Sequence, residues 1–345
     1  MKGFAVTSYD APLEAVELPQ PRLVPGHALL EVLTCGVCFS DVKTSRGQMP
    51  FSATLALPHV PGHEICARVL ATDPVDALPE GALVAVHHYT PCGRCRRCRA
   101  GDENLCHDLR AWTGFTHPGG FQERMVLPLD RLLVLPDGTD PITAAPMTCA
   151  LGTGYRAVVS RAAARAGSTV AVIGLGGVGI HALQVARAAG CVAVGLDVSA
   201  RALEVAASLA LDARDARSFS NDASGIPSVA DEGFDAVVVT AAASAAYEQA
   251  AAIVRSGGTV VGVGYAPDSL ATLATARLVL DEIRLVGSRY VSRGELSDAM
   301  SLVQRGLVTP VVDRVRPLDE VNEAFDDLVA GRIVGRTVLR VGEWE

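Results

Sequence analysis

The hydrophobic pattern of the chain changes character near residue 150. Before it, short apolar runs such as Ala28–Leu33 and Leu83–His87 alternate with Pro and Gly turns, which predicts a compact, irregular domain of short strands. From Ser168 the texture is different. Ser168–Ile173 is a continuous apolar run, as in a strand buried on both faces, and leads into Gly174-Leu175-Gly176-Gly177-Val178-Gly179 and the helix-like Ile180–Ala189. A second strand, Val192–Leu196, ends at Asp197, and further strands are expected at Ala236–Thr240, Thr259–Val263 and Ile283–Val286 with helices between them. That alternation predicts a doubly wound parallel sheet, hence an α/β fold. Past Tyr290 the pattern gives a helix near Glu295–Gln304, a strand near Val311–Val315, a helix at Leu318–Leu328 and a strand at Thr337–Val341. This tail is expected to return to the N-terminal domain. Ala-rich stretches near Ala162 and Ala241 also read as helices.

The 345 residues suggest about two domains at roughly 150 residues each. Hydrophobic residues make up 49% and charged ones 20%, a balance that buries large cores. A net charge of −8 argues against a nucleic-acid partner, so Arg94, Arg96, Arg97 and Arg99 read as a solvated loop face. No apolar run reaches the ~18 residues of a membrane span, so no membrane partner is expected. Nine cysteines without an export signal at Met1 fit a reducing cytoplasm, the expected location.

Four of those cysteines follow the spacing Cys92-x2-Cys95-x2-Cys98-x7-Cys106. Thiolates so placed can converge on one soft cation, and structural zinc takes four tetrahedral ligands. The rival is an iron–sulfur cluster. Bacterial ferredoxins also begin C-x2-C-x2-C but continue x3-Cys-Pro, whereas here Cys106 comes later and precedes His107, which favours zinc. The glycine-rich stretch carries its own context: it follows a buried strand, opens a helix, and precedes Asp197 by 23 residues counted from Gly174. Gly174 permits a tight turn, Gly176 a close approach to pyrophosphate, and Gly179 helix–strand packing. The helix N-terminus attracts phosphate. Asp197 can accept both adenosine ribose hydroxyls and repel a 2′-phosphate, which predicts NAD(H) over NADP(H). Arg201, four residues on, is the one nearby cation.

A second metal candidate is dispersed: Cys38 in Gly36-Val37-Cys38-Phe39-Ser40-Asp41, His63-Glu64 after Gly62, and Cys149 before the parallel sheet. Cys, His and Cys would leave one position open, as catalytic zinc requires. Read singly, Cys38 and Cys149 are more often buried small hydrophobes and His63 a satisfied core histidine. Spacing does not decide between these readings.

These motifs together, with Ala100-Gly-Asp-Glu-Asn-Leu-Cys106 and Gly335-Arg-Thr-Val-Leu339, resemble the zinc-containing medium-chain alcohol dehydrogenases, from about Ala5 to Val341. The resemblance implies a GroES-like β-rich catalytic domain at 1–152 with a zinc lobe at about 92–106. A Rossmann NAD-binding domain at 153–288 follows, then a segment at 289–345 returning to the catalytic domain, with the active site in the cleft. It also implies two zinc ions per chain, with Cys38, His63 and Cys149 on the catalytic one and Cys92, Cys95, Cys98 and Cys106 on the structural one. Glu64 would stand close enough to exchange in, Asp41 would orient His63, and Ser40 would pass the substrate proton outward or cap a helix. Thr153 and Val178 fall on the nicotinamide, Gly177 in the phosphate loop, Arg336 on the pyrophosphate, and the backbone near Val263 and Ser288 on the carboxamide.

Three positions depart from the family pattern. Lys43 stands where a proton-relay histidine is usual, Ala67 replaces a glycine, and Phe39 follows the first ligand. The implied reaction is hydride transfer between a primary or secondary alcohol and NAD⁺, or the reverse on an aldehyde or ketone. Polyol, sugar or threonine dehydrogenases share the fold, although polyol members often replace the third ligand by glutamate. A non-catalytic NAD(H) sensor would be expected to lack zinc ligands. Candidate substrate-lining residues are Phe51, His87, Trp112 and Phe115. A homodimer or homotetramer joined near Ile283–Val286 is expected from the family.

Overall fold

The computed structural model describes residues 1–219 and 232–344. The chain divides into two compact units, Met1–Cys149 with Ser292–Ser297 and Val312–Glu345, and Ala150–Val291 with Asp298–Val311. The division falls at other residues than the expected 152 and 288. Ala150 already belongs to the second unit, and Asp298–Val311, read from sequence as part of the returning tail, stays with it.

The first unit is built on a seven-stranded sheet. In spatial order it runs Val312–Pro317, Arg336–Arg340, His27–Val37, Glu64–Thr72, Leu83–Val86 and Leu132–Val134, with Arg124–Pro128 pairing the other end of His27–Val37. Only the first two strands are parallel; the rest pair antiparallel. Leu30, Val32, Ile65, Val69, Val84, Val86 and Leu339 form its buried core. Ala67 is part of that core and pairs with Val32, so the methyl that departs from the family pattern is fully packed. The strand Arg336–Arg340 pairs with His27–Val37 in the register Thr337↔Val37. This pairing brings the end of the chain to the metal-ligand candidates.

The second unit holds a six-stranded, all-parallel sheet in the order Ala213–Asp215, Val192–Asp197, Thr169–Ile173, Phe234–Val239, Val254–Gly262 and Arg284–Gly287. Numbered along the chain this is 3-2-1-4-5-6, the doubly wound order, whose direction reverses beside the first strand. That strand is buried at all five positions, as a strand covered on both faces must be. The helix Gly177–Ala188 follows it, and its buried side carries Ile180, Leu183 and Val185. The Ala-rich stretch at 162 is not helical: a π-helical turn ends at Arg161 and Ala163 takes φ +53°. Near Ala241 the helix begins only at Ser244. No helix of the described residues is long and apolar enough to cross a membrane.

Candidate active site

Two thiol clusters converge among the described residues, and both lie in the first unit. The four-cysteine lobe closes on itself around turns at Gly93 and Gly101, with φ of +72° and +79°. Cys95 Sγ lies 3.4 Å from Cys98 Sγ and 4.0 Å from Cys106 Sγ, and Cys92 Sγ lies 3.9 Å from Cys98 Sγ. Sulfurs at tetrahedral corners, each about 2.3 Å from one zinc ion, stand about 3.8 Å apart, so this donor set fits a single zinc. A [4Fe–4S] cluster ties each thiolate to a different iron, and a [2Fe–2S] cluster divides them between two, so either spreads the sulfurs further. The N–H groups of Cys92, Cys95 and Cys98 donate to Cys106, Cys92 and Cys95 Sγ, which favours thiolates. The Cys98 N–H draws the Cys95 thiol down to about 6, while burial pushes Cys98 up to about 12. A dication ends that competition for protons.

The second cluster brings together Cys38, His63, Glu64 and Cys149, all buried, with their ligand atoms within 4.8 Å of one another. Cys38 follows the strand His27–Val37 and is the N-cap of the helix Phe39–Ser45. Asp41, fully buried, ties the cluster together. Its Oδ2 accepts the Cys38 N–H at 2.9 Å, closing the cap. Its Oδ1 accepts the Gly62 N–H at 3.2 Å and pairs with His63 Nδ1 at 3.0 Å. Held through Nδ1, His63 turns Nε2 to the cluster, as a carboxylate-oriented metal ligand does. The cap is therefore Asp41's task and not Ser40's; the Ser40 hydroxyl lies 3.8 Å from Cys38 Sγ.

Glu64 pairs across the sheet with Gly36, and a Cβ at Gly36 would stand 2.4 Å from Glu64 Oε2. Only glycine leaves room for that carboxylate. Arg336, expected on the cofactor's pyrophosphate, lies beside this carboxylate. Its Nε donates to both Glu64 oxygens at 2.8 and 3.0 Å, and Nη2 approaches Cys38 Sγ at 3.5 Å. The pairing of its strand with His27–Val37 explains the position.

The charges are balanced by protons in a way that a cation would relieve. The Cys149 thiol holds Cys38 well below the usual range and keeps its own proton. Burial pushes Glu64 up to about 7 against the pull of Arg336. Burial alone would lower His63, but Asp41 and Cys38 raise it to about 10. A thiolate beside a thiol, a histidine and a carboxylate that keep their protons when no cation balances them form a donor set suited to zinc.

Lys43 is nearly buried, with Nζ 5.9 Å from the Phe39 ring centroid. Burial lowers its ammonium pKa, and the charge on Cys38 partly offsets this. Of the proposed substrate-lining residues, Phe115 lies 4.6 Å from the His63 ring, Trp112 4.2 Å from Phe115, and Phe51 5.4 Å from Trp112. His87 meets the group at its edge, its ring 5.8 Å from those of His88 and Tyr89 and its Nδ1 3.4 Å from Arg131 Nη1. Its neighbour His88, missed from sequence, stands 5.5 Å from His63. It lies two residues past the end of the strand Leu83–Val86, and no motif sets it apart from His87.

In the second unit the remaining candidates gather at the carboxyl ends of the parallel strands. Gly174 takes φ +92°, and a Cβ at Gly179 would fall 1.7 Å from Gly174 O. Gly176 is the N-cap of Gly177–Ala188, and a Cβ there meets nothing within 4 Å, so the loop's outer edge is open to a ligand. Asp197 accepts Leu175 N–H at 2.5 Å and Ser199 N–H at 2.8 Å, which fixes its carboxylate beside the loop with lone pairs to spare. Val263 N–H donates to Val239 O at 2.9 Å and Ser288 N–H to Gly262 O at 2.8 Å, placing both just past the strand ends. Val178 is half-buried in the first turn of the helix, and Thr153 is buried in Ala150–Tyr155. Doubly wound sheets bind dinucleotides at this edge.

Comparison with known proteins gives the class first. Residues 24–137 match the alcohol dehydrogenase GroES-like domain, and residues 177–305 match the zinc-binding dehydrogenase domain. An alcohol dehydrogenase of Geobacillus stearothermophilus is 33% identical over 348 residues, covering 99% of this chain and 100% of that one. The acetophenone reductase of Geotrichum candidum, solved with NAD, is 31% identical with a TM-score of 0.86, covering 98% and 96% of the two chains. A solved NAD-dependent alcohol dehydrogenase is 27% identical with a TM-score of 0.91, covering 99% and 100%. The chain belongs to the zinc-containing medium-chain alcohol dehydrogenase family. It is an oxidoreductase of alcohols and carbonyl compounds that works with zinc and a nicotinamide dinucleotide.

Proposed function

We propose that the chain interconverts a primary or secondary alcohol and its aldehyde or ketone with NAD(H), at a zinc held by Cys38, His63 and Cys149. The observation that carries this reading is the convergence of those ligand atoms within 4.8 Å, on a helix and a strand that Asp41 ties together. A zinc bound there supplies Lewis acidity toward the substrate oxygen. Asp41 keeps His63 in the tautomer that presents Nε2. Ser40, beside Cys38, is the hydroxyl placed to accept the substrate's proton, and Lys43, one helical turn on, is a candidate to receive it. Glu64, paired with Arg336, would offer the zinc a further carboxylate ligand. The four-cysteine lobe holds the second zinc as a structural staple.

NAD(H) is preferred because Asp197 stands beside the glycine loop with a fixed carboxylate, where a 2′-phosphate would meet like charge. Arg201 lies exposed on the next helix. A homodimer or homotetramer is supported by the edge position of Arg284–Gly287 and by exposed Leu278, Val279, Leu280 and Leu285 around it; light scattering at micromolar concentration should give a multiple of the monomer mass. The function is tested by initial rates with NAD⁺ on ethanol, benzyl alcohol, cyclohexanol and sorbitol. Turnover of the simple alcohols, abolished by a zinc chelator, is expected. Turnover of sorbitol alone moves the chain to the polyol dehydrogenases, and turnover of none of the four overturns the simple-alcohol reading.

A further inference from the structure

The four-cysteine lobe reaches beyond its own metal site through Glu103, which lies between Cys98 and Cys106. Glu103 Oε1 accepts the backbone N–H of Arg293 at 2.7 Å, across 190 residues of chain. The same oxygen lies 3.7 Å from His87 Nδ1 and 3.8 Å from Arg131 Nη1, both of them buried side chains. Arg293 opens the helix Arg293–Gln304. That helix has its own cap: Ser292 N–H donates to Glu295 Oε2 at 2.9 Å, and Glu295 N–H to Ser292 Oγ at 3.4 Å. A reciprocal cap of this kind satisfies two of the exposed amides and leaves the N–H of Arg293, which no residue of the helix can accept. Glu103 takes it from outside the helix, with a charge of the sign that a helix N-terminus favours. The Arg293 guanidinium adds a second tie, Nη2 to Leu132 O at 3.1 Å, next to Arg131. Residues 292–297 belong to the first unit and the rest of the helix to the second, so this first turn is where the chain passes between them.

We infer that Glu103 is a positioning residue that couples the order of the four-cysteine lobe to the first turn of the Arg293–Gln304 helix. The lobe is then more than a local staple, because its integrity also fixes where that helix starts. Only the metal half of the coupling rests on the proposed structural zinc; the Glu103–Arg293 contact stands without it. Coupling of this kind is reciprocal, so loosening either end must loosen the other.

The test uses two variants on opposite sides of the contact. Glu103→Gln, which keeps size but removes charge, should speed hydrogen exchange at the Arg293 amide by about tenfold, the scale of losing a charge-assisted bond. Ser292→Ala lies outside the lobe and weakens only the helix cap. It should nevertheless speed release of the lobe's zinc to a chelating dye several-fold, as Glu103→Gln does. Unchanged Arg293 exchange in Glu103→Gln, or unchanged zinc release in Ser292→Ala, overturns the inference. A wild-type protein without lobe zinc would sink the structural-zinc reading instead, while the Arg293 amide would still report on the contact.

Discussion

The two thiol clusters of this protein are built on opposite plans. In the lobe, four ligands come from one stretch of fifteen residues, Cys92 to Cys106, and their own backbone amides hold the sulfurs. The donor set is complete and uniform. The other cluster gathers residues from the ends of two strands and a distant turn, all buried, and mixes thiol, imidazole and carboxylate. Its ligands are held by a second layer, Asp41 on one side and Arg336 on the other. A closed set of four thiolates leaves a metal nothing to do but hold the chain, whereas three firm ligands and an arginine-paired carboxylate leave a position for chemistry.

Exchanging the damage between the two sites gives the largest contrast. Cys149→Ser should leave the fold intact and lower kcat/KM by roughly a thousandfold, about 4 kcal/mol of lost transition-state stabilisation. Cys98→Ser should do the reverse, lowering the unfolding midpoint by around ten degrees because structural zinc contributes folding free energy. Calorimetry and initial rates on both variants check the exchange; equal loss of stability in the two would erase the distinction.

A smaller effect is expected from the second layer. Asp41→Asn loses the charge that orients His63 and should weaken zinc retention or activity by roughly 10- to 100-fold, the usual range for such partners. Metal content after dialysis against a graded chelator series measures it, and an unaltered series would assign His63's orientation to packing alone.

Cofactor choice is set in the other unit and should be indifferent to both metal sites. Asp197→Ala should raise KM for NAD⁺ and relax discrimination against NADP⁺ by about tenfold, one charge interaction's worth. Wild-type kcat/KM already higher with NADP⁺ would contradict the role given to Asp197.

The smallest effect comes from a charge cluster of the first unit that needs no metal. Asp327 accepts Arg316, Arg332 and Arg314 at 2.7–2.8 Å, and these hold its carboxyl at about 2. A depressed carboxyl pKa stabilises the fold above the unfolded value of about 3.9 and loses that contribution as pH falls toward 2. Asp327→Asn should therefore be less stable than wild type at neutral pH, with the gap closing between about pH 4 and pH 2. Urea melts across that range, with chelator present and absent, should show the pH effect and no dependence of the gap on metal.

The contrast between the clusters also explains what could be read from the sequence. The lobe and the glycine loop are local, so spacing and flanking pattern sufficed. Cys38, His63 and Cys149 are far apart in sequence and stood out only through a resemblance of surrounding motifs. The pairing of Arg336 with Glu64 was not legible because it depends on strand 336–340 pairing with strand 27–37, a contact across nearly the whole chain. His88 and Glu103 were missed for a similar reason. One lies just past the strand Leu83–Val86 with no spacing that sets it apart from His87, and the other is marked only by a partner 190 residues away.

Elemental analysis of the purified protein tests the central claim most directly, because both clusters must be metal sites for the contrast between them to hold. The account predicts two zinc ions per chain and no iron. One zinc per chain, or iron in place of zinc, would contradict it.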